Sequence, residues 1–426
     1  MLANIAYGER DLTVEVPDSA LIVASVSVPA LENEHGALIE GLRQPAHGCS
    51  LGETVRGGQR AVVVFPDVTR AMPTRRVVPV VLEELEAAGF GPERVTLLSG
   101  TGTHRANTPA ELERMLGREV LERYTVFSHD ARDREANVLL GHTSQGAPAL
   151  LDRTYVDADV RIVLGLIEPH FFAGFSGGPK GVCPGVAGLE TVLYLHDAER
   201  IGHPHATWCR IEGNPIQAML REVVALAPPS FTLDVTLNKA QAITGVFAGE
   251  GYSAHEAGCE FVSRFQQMTV PQLYDIVITG NGGYPLDQNL YQSVKGLSAA
   301  ARIVKPGGAI ILAAECRDGI PNHGSYGAIL EQARTIDDIF AALHNGAETV
   351  PDQWEAQIQA LVQRRATVYA FCEGLTPAQL RAAHLQPIAS VDETLAALLQ
   401  ANASASVAVL PEGPYVVPRA PAKAAV

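Results

Sequence analysis

The run Ala61-Val62-Val63-Val64-Phe65, followed by Asp67-Val68-Thr69-Arg70 and then by an amphipathic stretch from Arg76 to Ala88 that stops at Gly89, decides how this chain is read. A short, valine-rich apolar run bounded by turn residues reads as a buried strand, and the stretch after it has helical spacing. The alternation continues: Val95 to Leu98 precedes a helix over Pro109 to Leu116, and Val160 to Leu166 precedes a glycine-rich loop and a helix from about Leu189 to Arg200. Strand patterns return at Asp275 to Thr279 and near Ala309 to Ala313. This rhythm predicts an α/β protein of mostly parallel sheets flanked by helices. Thr108-Pro109-Ala110-Glu111 and Thr376-Pro377-Ala378-Gln379 each supply a capping hydroxyl, a first-turn proline and a side chain that reaches back, so both mark helix starts.

A chain of 426 residues exceeds what one hydrophobic core usually serves. The restart of the pattern after residues 251–269 sets the expected division: an N-terminal domain over 1–268, a C-terminal domain over 269–410 and a proline- and alanine-rich tail over 411–426. The formal charge of -15 repels phosphate backbones and anionic membranes, and no basic run offsets it, so nucleic acid and membrane are not expected partners. Glu9, Asp11 and Glu15 stand where a secretory signal would be basic, and no later segment is apolar for long enough to span a bilayer, which makes a cytoplasmic location the expectation. Six cysteines without C-x-x-C spacing fit neither a disulfide framework nor a thiolate zinc site. The only lysines are Lys180, Lys239, Lys295, Lys305 and Lys423, against a large excess of arginine, so a lysine inside a glycine-rich loop stands out.

Open α/β sheets assemble ligand sites at the carboxyl ends of their strands, and the chemically interesting segments follow predicted strands. Arg70 suits a carboxylate or phosphate, and Asp67 can orient it or accept from a sugar hydroxyl; a surface Asp–Arg pair explains them equally well. His104, at the tip of Ser99-Gly100-Thr101-Gly102-Thr103-His104-Arg105, suits proton transfer, although a lone loop histidine is more often simply solvated. Glu168-Pro169-His170-Phe171-Phe172-Ala173-Gly174-Phe175-Ser176-Gly177-Gly178-Pro179-Lys180-Gly181 is the densest segment. Its glycines imply unusual backbone angles or close contact with an anion, yet it is no Walker A loop, because Pro179 precedes the lysine and no Ser or Thr follows. His196 is a possible imidazole ligand for nickel, copper or zinc, with Asp197 or Glu199 behind it. Gln292 and Lys295 share a helical face able to close on a small anion, or belong to an ordinary exposed helix.

Taken together, Asp67-x-Thr69-Arg70, Thr101-Gly102-x-His104-Arg105, Pro169-His170, Gly174-Phe175-Ser176-Gly177-Gly178-x-Lys180, His196 and Gln292-x-x-Lys295 resemble, in order and spacing, the nickel-dependent lactate racemase family. The resemblance spans roughly residues 60 to 300, and Trp354 falls where that family has a tryptophan beside the site. It implies two α/β domains with the active site in the interdomain cleft. It also implies a nickel-pincer nucleotide, of the pyridinium-3,5-bisthiocarboxylic acid mononucleotide type, covalently joined to Lys180, with nickel further bound by His196. Separate biosynthetic proteins would make and install that cofactor. The substrate implied is a 2-hydroxyacid, racemised or epimerised by proton-coupled hydride transfer through a 2-ketoacid, with His104 and His170 carrying the proton. Arg70, Gln292 and Lys295 would hold the substrate. Asp67, Thr69, Gly174, Ser176, Gly177 and Gly178 would hold the cofactor, the loop backbone cradling its phosphate. Phe171, Phe172 and Trp354 are candidates to shape the substrate side-chain pocket, and the sequence does not say which of them face it. Two rivals stand beside it: a nucleotide- or phosphate-binding transferase without nickel, and a non-catalytic family member.

Overall fold

The Ala61–Pro66 strand lies inside a six-stranded sheet of order Ile243–Gly249, Phe231–Leu237, Val160–Leu166, Ala61–Pro66, Val95–Gly100, Thr125–Ser128. All neighbours are parallel except the edge pair formed by Phe231–Leu237 and Ile243–Gly249. Val62 to Phe65 are almost completely buried. Val63 and Phe65 join Val77, Val81 and Leu85 of the Thr74–Ala87 helix and Leu38 and Leu42 of the Glu34–Arg43 helix in one apolar cluster. Each such side chain withdrawn from water contributes about 1.5–3 kcal/mol, which is why a run with no polar alternation is stable only here. This computed structural model describes residues 1–322, 324–344 and 348–421.

The second sheet has the order Gln386–Pro387, Ala366–Phe371, Val304–Ala313, Tyr274–Thr279, Val407–Leu410, Leu21–Ile22, parallel throughout. Ile276, Ile278, Ile311 and Val409 form its core with Val391 and Leu395 and with Ile5, Tyr7 and Val14 from an N-terminal hairpin. Both threonine boxes form as read, Thr108 with Glu111 and Thr376 with Gln379. Among the described residues no helix is long and apolar enough to cross a membrane.

The chain divides into two compact units, one of Ser27–His196 with His205–Arg264, the other of Met1–Val26, Asp197–Pro204 and Phe265–Val426. The division near residue 268 has its counterpart at Arg264, but residues 1–26 and 197–204 belong with the C-terminal part rather than with 27–264. Leu21–Ile22 is an edge strand on Val407–Leu410, and the Gln357 amide donates to Ala198 O at 2.7 Å. Pairings across such sequence distances leave no local periodic trace. Within the stretch expected to be a tail, Val417–Arg419 pairs in parallel with Gln267–Thr269; residues 422–426 lie outside the described ones.

The helix expected over Leu189 to Arg200 is two helices, Leu189–Leu195 and Ala198–Ile201. Asp197 interrupts it by capping the second, its Oδ1 accepting from Arg200 N at 2.8 Å while its other oxygen pairs with the Arg200 guanidinium. Asp197 is thereby engaged away from His196.

Candidate active site

Three neighbouring parallel strands end in the predicted loops. Asp67, Thr69 and Arg70 follow Ala61–Pro66; Thr101 to Arg105 follow Val95–Gly100; Glu168 to Lys180 follow Val160–Leu166. Adjacency in the sheet brings the loops together, and Gly102 N donates to Gly185 O at 2.8 Å, tying the histidine loop to the end of the lysine loop. Thr101 Oγ1 donates to His129 O at 2.6 Å, and the buried His129 ring bonds Asp152 at 2.8 Å and Ala187 O at 3.0 Å, securing the base of the same loop.

Asp67 is buried and its Oδ2 lies 2.9 Å from His104 Nδ1, while its Oδ1 accepts from Thr69 Oγ1 at 2.7 Å. A carboxylate only accepts, so Nδ1 carries the proton and neutral His104 has its lone pair on Nε2, the arrangement of a general base. Burial pushes the Asp67 carboxyl up, but the hydrogen bonds from His104 and Thr69 and the charge of Arg70 outweigh it and hold it below its ordinary value. The His104 side chain is 48% exposed, open to a reactant. Arg105, by contrast, forks onto Glu111 at 2.6 and 2.7 Å.

The lysine loop builds an aromatic niche. His170 stacks on Phe171 (centroids 5.0 Å apart) and meets Phe172 edge-on at 4.4 Å, with its Nδ1 accepting from Ala173 N at 3.2 Å. Phe171 also contacts Trp208, which the sequence did not single out. Lys180 Nζ lies 5.7 Å from the Phe172 ring centre, and the same ring meets His196 edge-on at 5.3 Å. His196 Nδ1 is 2.7 Å from Val192 O; a carbonyl cannot donate, so the proton sits on Nδ1 and the lone pair on Nε2. Burial, aided by the charge of Lys180, pushes the imidazole down to about 4 and keeps it neutral.

The loop that holds these glycines is tied to the protein around it. Gly178 N donates to Asp234 Oδ1 at 2.9 Å, Ser176 N to Glu168 O at 2.9 Å and Lys180 N to Gly177 O at 3.1 Å, and Ser176 Oγ donates to Leu166 O at 2.7 Å. Gly174, at φ +80°, has no room for a Cβ against Arg210 O, and Gly178, at φ +49°, has none against His255. Their small size lets other parts of the protein approach closely. Asp234 and His255 were missed by the sequence reading, although an aspartate inside the apolar run Phe231–Leu237 is itself a signal.

Gln292, Lys295 and Trp354 belong to the other unit. Gln292 and Lys295 lie on the Leu290–Ala301 helix, and Lys295 Nζ donates to Gln292 Oε1 at 2.7 Å. Beside them Glu355 is buried; desolvation pushes its carboxyl up and the Lys295 charge opposes that rise.

Residues 7–209 match the model of the lactate racemase N-terminal domain and residues 270–417 that of the C-terminal domain; Asp234 and His255 lie in neither segment. The chain is 35% identical over 422 residues to the lactate racemase of Thermoanaerobacterium thermosaccharolyticum, covering 98% of this chain and 99% of the relative. It is 32% identical over 422 residues to that of Lactiplantibacillus plantarum, covering 97% and 99%. The structure of the T. thermosaccharolyticum lactate racemase apoprotein superposes with a TM-score of 0.93 at 33% identity, over 98% of this chain and 100% of that one. A Thermotoga maritima protein at 19% identity, TM-score 0.71 and coverage of 93% and 100% shares the fold.

Proposed function

That the chain belongs to the lactate racemase family, and is accordingly a racemase, is the premise from which we propose its reaction: interconversion of the enantiomers of a 2-hydroxyacid of the lactate type in the cytoplasm. The proposed cofactor is a nickel-pincer nucleotide joined to Lys180, with nickel ligated by His196. The observation that carries this reading is the niche in which Lys180 and His196 face one phenylalanine ring, beside a second proton-carrying histidine. When bound, that cofactor supplies a hydride acceptor, so Cα–H need not leave as a proton and place a carbanion beside a carboxylate.

The residues fit such a group. His196 offers a neutral imidazole whose Nδ1–H is fixed by Val192 O, as metal-ligating histidines usually are. Among the described residues no three His, Cys, Asp or Glu side chains gather to hold a metal, which accords with a cofactor that brings ligands of its own to a metal on His196. His104, oriented by Asp67, takes or returns the hydroxyl proton of one enantiomer, and His170 does so for the other through Nε2, for which its ring proton must move to Nδ1 and the Ala173 N–H contact must open. Arg70 and Lys295 hold the substrate carboxylate and Gln292 orients it. The N–H groups of Ser176, Gly178 and Lys180 are engaged within the protein, which counts against a phosphate cradle at those three peptides for the cofactor and for a phosphate-binding transferase alike.

The test is intact mass and metal content of the chain co-expressed with cofactor-biosynthetic proteins, together with loss of optical rotation from L-lactate. One adduct at Lys180, near-stoichiometric nickel and racemisation are expected; an unmodified, metal-free, inactive chain overturns the reading.

The Asp67–His104 pair yields a sharper expectation. In Asp67→Asn the amide NH₂ can face His104 Nδ1 and drive the ring proton to Nε2, costing about 10²–10⁴-fold in kcat. Because the two residues act as a unit, Asp67→Asn combined with His104→Ala should be no slower than His104→Ala alone. Multiplying losses in steady-state assays would refute the pairing.

A further inference from the structure

Two buried ionisable side chains, apart from the proton carriers, grip the backbone leading into Lys180. Asp234 projects from the middle of Phe231–Leu237 beside Gly165 of the neighbouring Val160–Leu166 strand, where any Cβ would collide with its carboxylate. Its Oδ1 accepts from Gly178 N at 2.9 Å, a Cβ on Gly177 would stand 2.7 Å from the same oxygen, and Oδ2 has no hydrogen-bond partner among the described residues. His255, on the Ser253–Gln266 helix, donates its Nε2–H to Ser176 O at 2.9 Å. Both are almost wholly buried, and burial opposes the charged form of each: the Asp234 carboxyl is pushed up to about 7 and the His255 imidazole down to about 4. Withdrawing such groups from water is costly, and apolar side chains would fill the same space without that cost. What the two share is the segment they hold, Ser176 to Gly178, and Gly177 O in turn accepts from Lys180 N at 3.1 Å.

We propose that Asp234 and His255 are positioning residues for Lys180, a sheet-borne acceptor and a helix-borne donor that together fix the peptides before it and so aim its amine. The claim that this aim serves cofactor attachment rests on Lys180 being the tether. Asp234→Ala leaves Gly178 N–H without its acceptor, His255→Ala leaves Ser176 O without its donor, and Asp234→Asn keeps an acceptor oxygen.

The test is competitive acetylation of the full-length, unloaded chain with acetic anhydride, with each lysine read by peptide mass spectrometry and the other four lysines as internal references. In Asp234→Ala and His255→Ala the relative reactivity of Lys180 should rise about fivefold or more as the loop opens, while Asp234→Asn stays with the wild type. Unchanged Lys180 reactivity in both alanine variants overturns the proposal; should Asp234→Ala fail to fold, His255→Ala set against Asp234→Asn decides. The labelling is read on unmodified protein, so it settles the positioning whether or not co-expressed wild type carries an adduct, and a missing adduct counts against the tether alone.

Discussion

Lys180→Ala, co-expressed with the cofactor-biosynthetic proteins, will be a folded protein of unmodified mass that racemises no 2-hydroxyacid. The fold should survive because the Lys180 side chain is only partly buried, beside the Phe172 ring, and the surrounding 3-10 turn is held by backbone hydrogen bonds. Losing it costs within about 1 kcal/mol, as for other positions outside a core. Activity is a different matter. In the proposed reaction the amine is the tether, and the histidines would not compensate for its loss, since their assigned part is to move protons whereas a hydride needs an acceptor. The loss should reach about 10⁶-fold or more, the general scale of enzymatic acceleration. Intact mass, circular dichroism and polarimetry on one preparation decide it: full activity in a folded Lys180→Ala would end the tether claim.

The sequence disclosed what depends on short-range pattern. Ala61–Pro66, Val95–Gly100 and Val160–Leu166 are legible because strands buried on both faces must be apolar throughout, and the two threonine boxes because capping is a contact between residues three apart. Long-range relations were not legible. The Leu21–Ile22 edge strand on Val407–Leu410 pairs residues nearly the whole chain apart, and the Asp67–His104 hydrogen bond arises from two loops that meet only because their strands are neighbours. Glycines were legible as special but not as to purpose. Their density announces close approach, and only the structure shows that Asp234, His255 and the Arg210 backbone are what approaches. The break at His196 was hidden because Asp197 can continue a helix or cap a new one, and its pairing with Arg200 makes it a cap.

That break bears on the second large effect. His196→Ala, co-expressed in the same way, should keep the Lys180 adduct and lose nickel, separating tether from ligand in one sample. His196 sits at the end of the Leu189–Leu195 helix, where its ring bonds Val192 O one turn back, so removing the ring leaves Lys180 and its loop in place. Two nearby histidines already use one ring nitrogen within the protein: His170 Nδ1 accepts from Ala173 N, and His205 Nδ1 lies 3.2 Å from Gly213 O. Because the proposed reaction needs the metal and the tethered group together, activity should fall as completely as in Lys180→Ala while the mass stays that of the modified chain. Elemental analysis beside intact mass reads both quantities. Nickel retained at the wild-type ratio would move the ligand assignment to another residue, whereas joint loss of nickel and adduct would mean that the metal is needed to keep the group on Lys180.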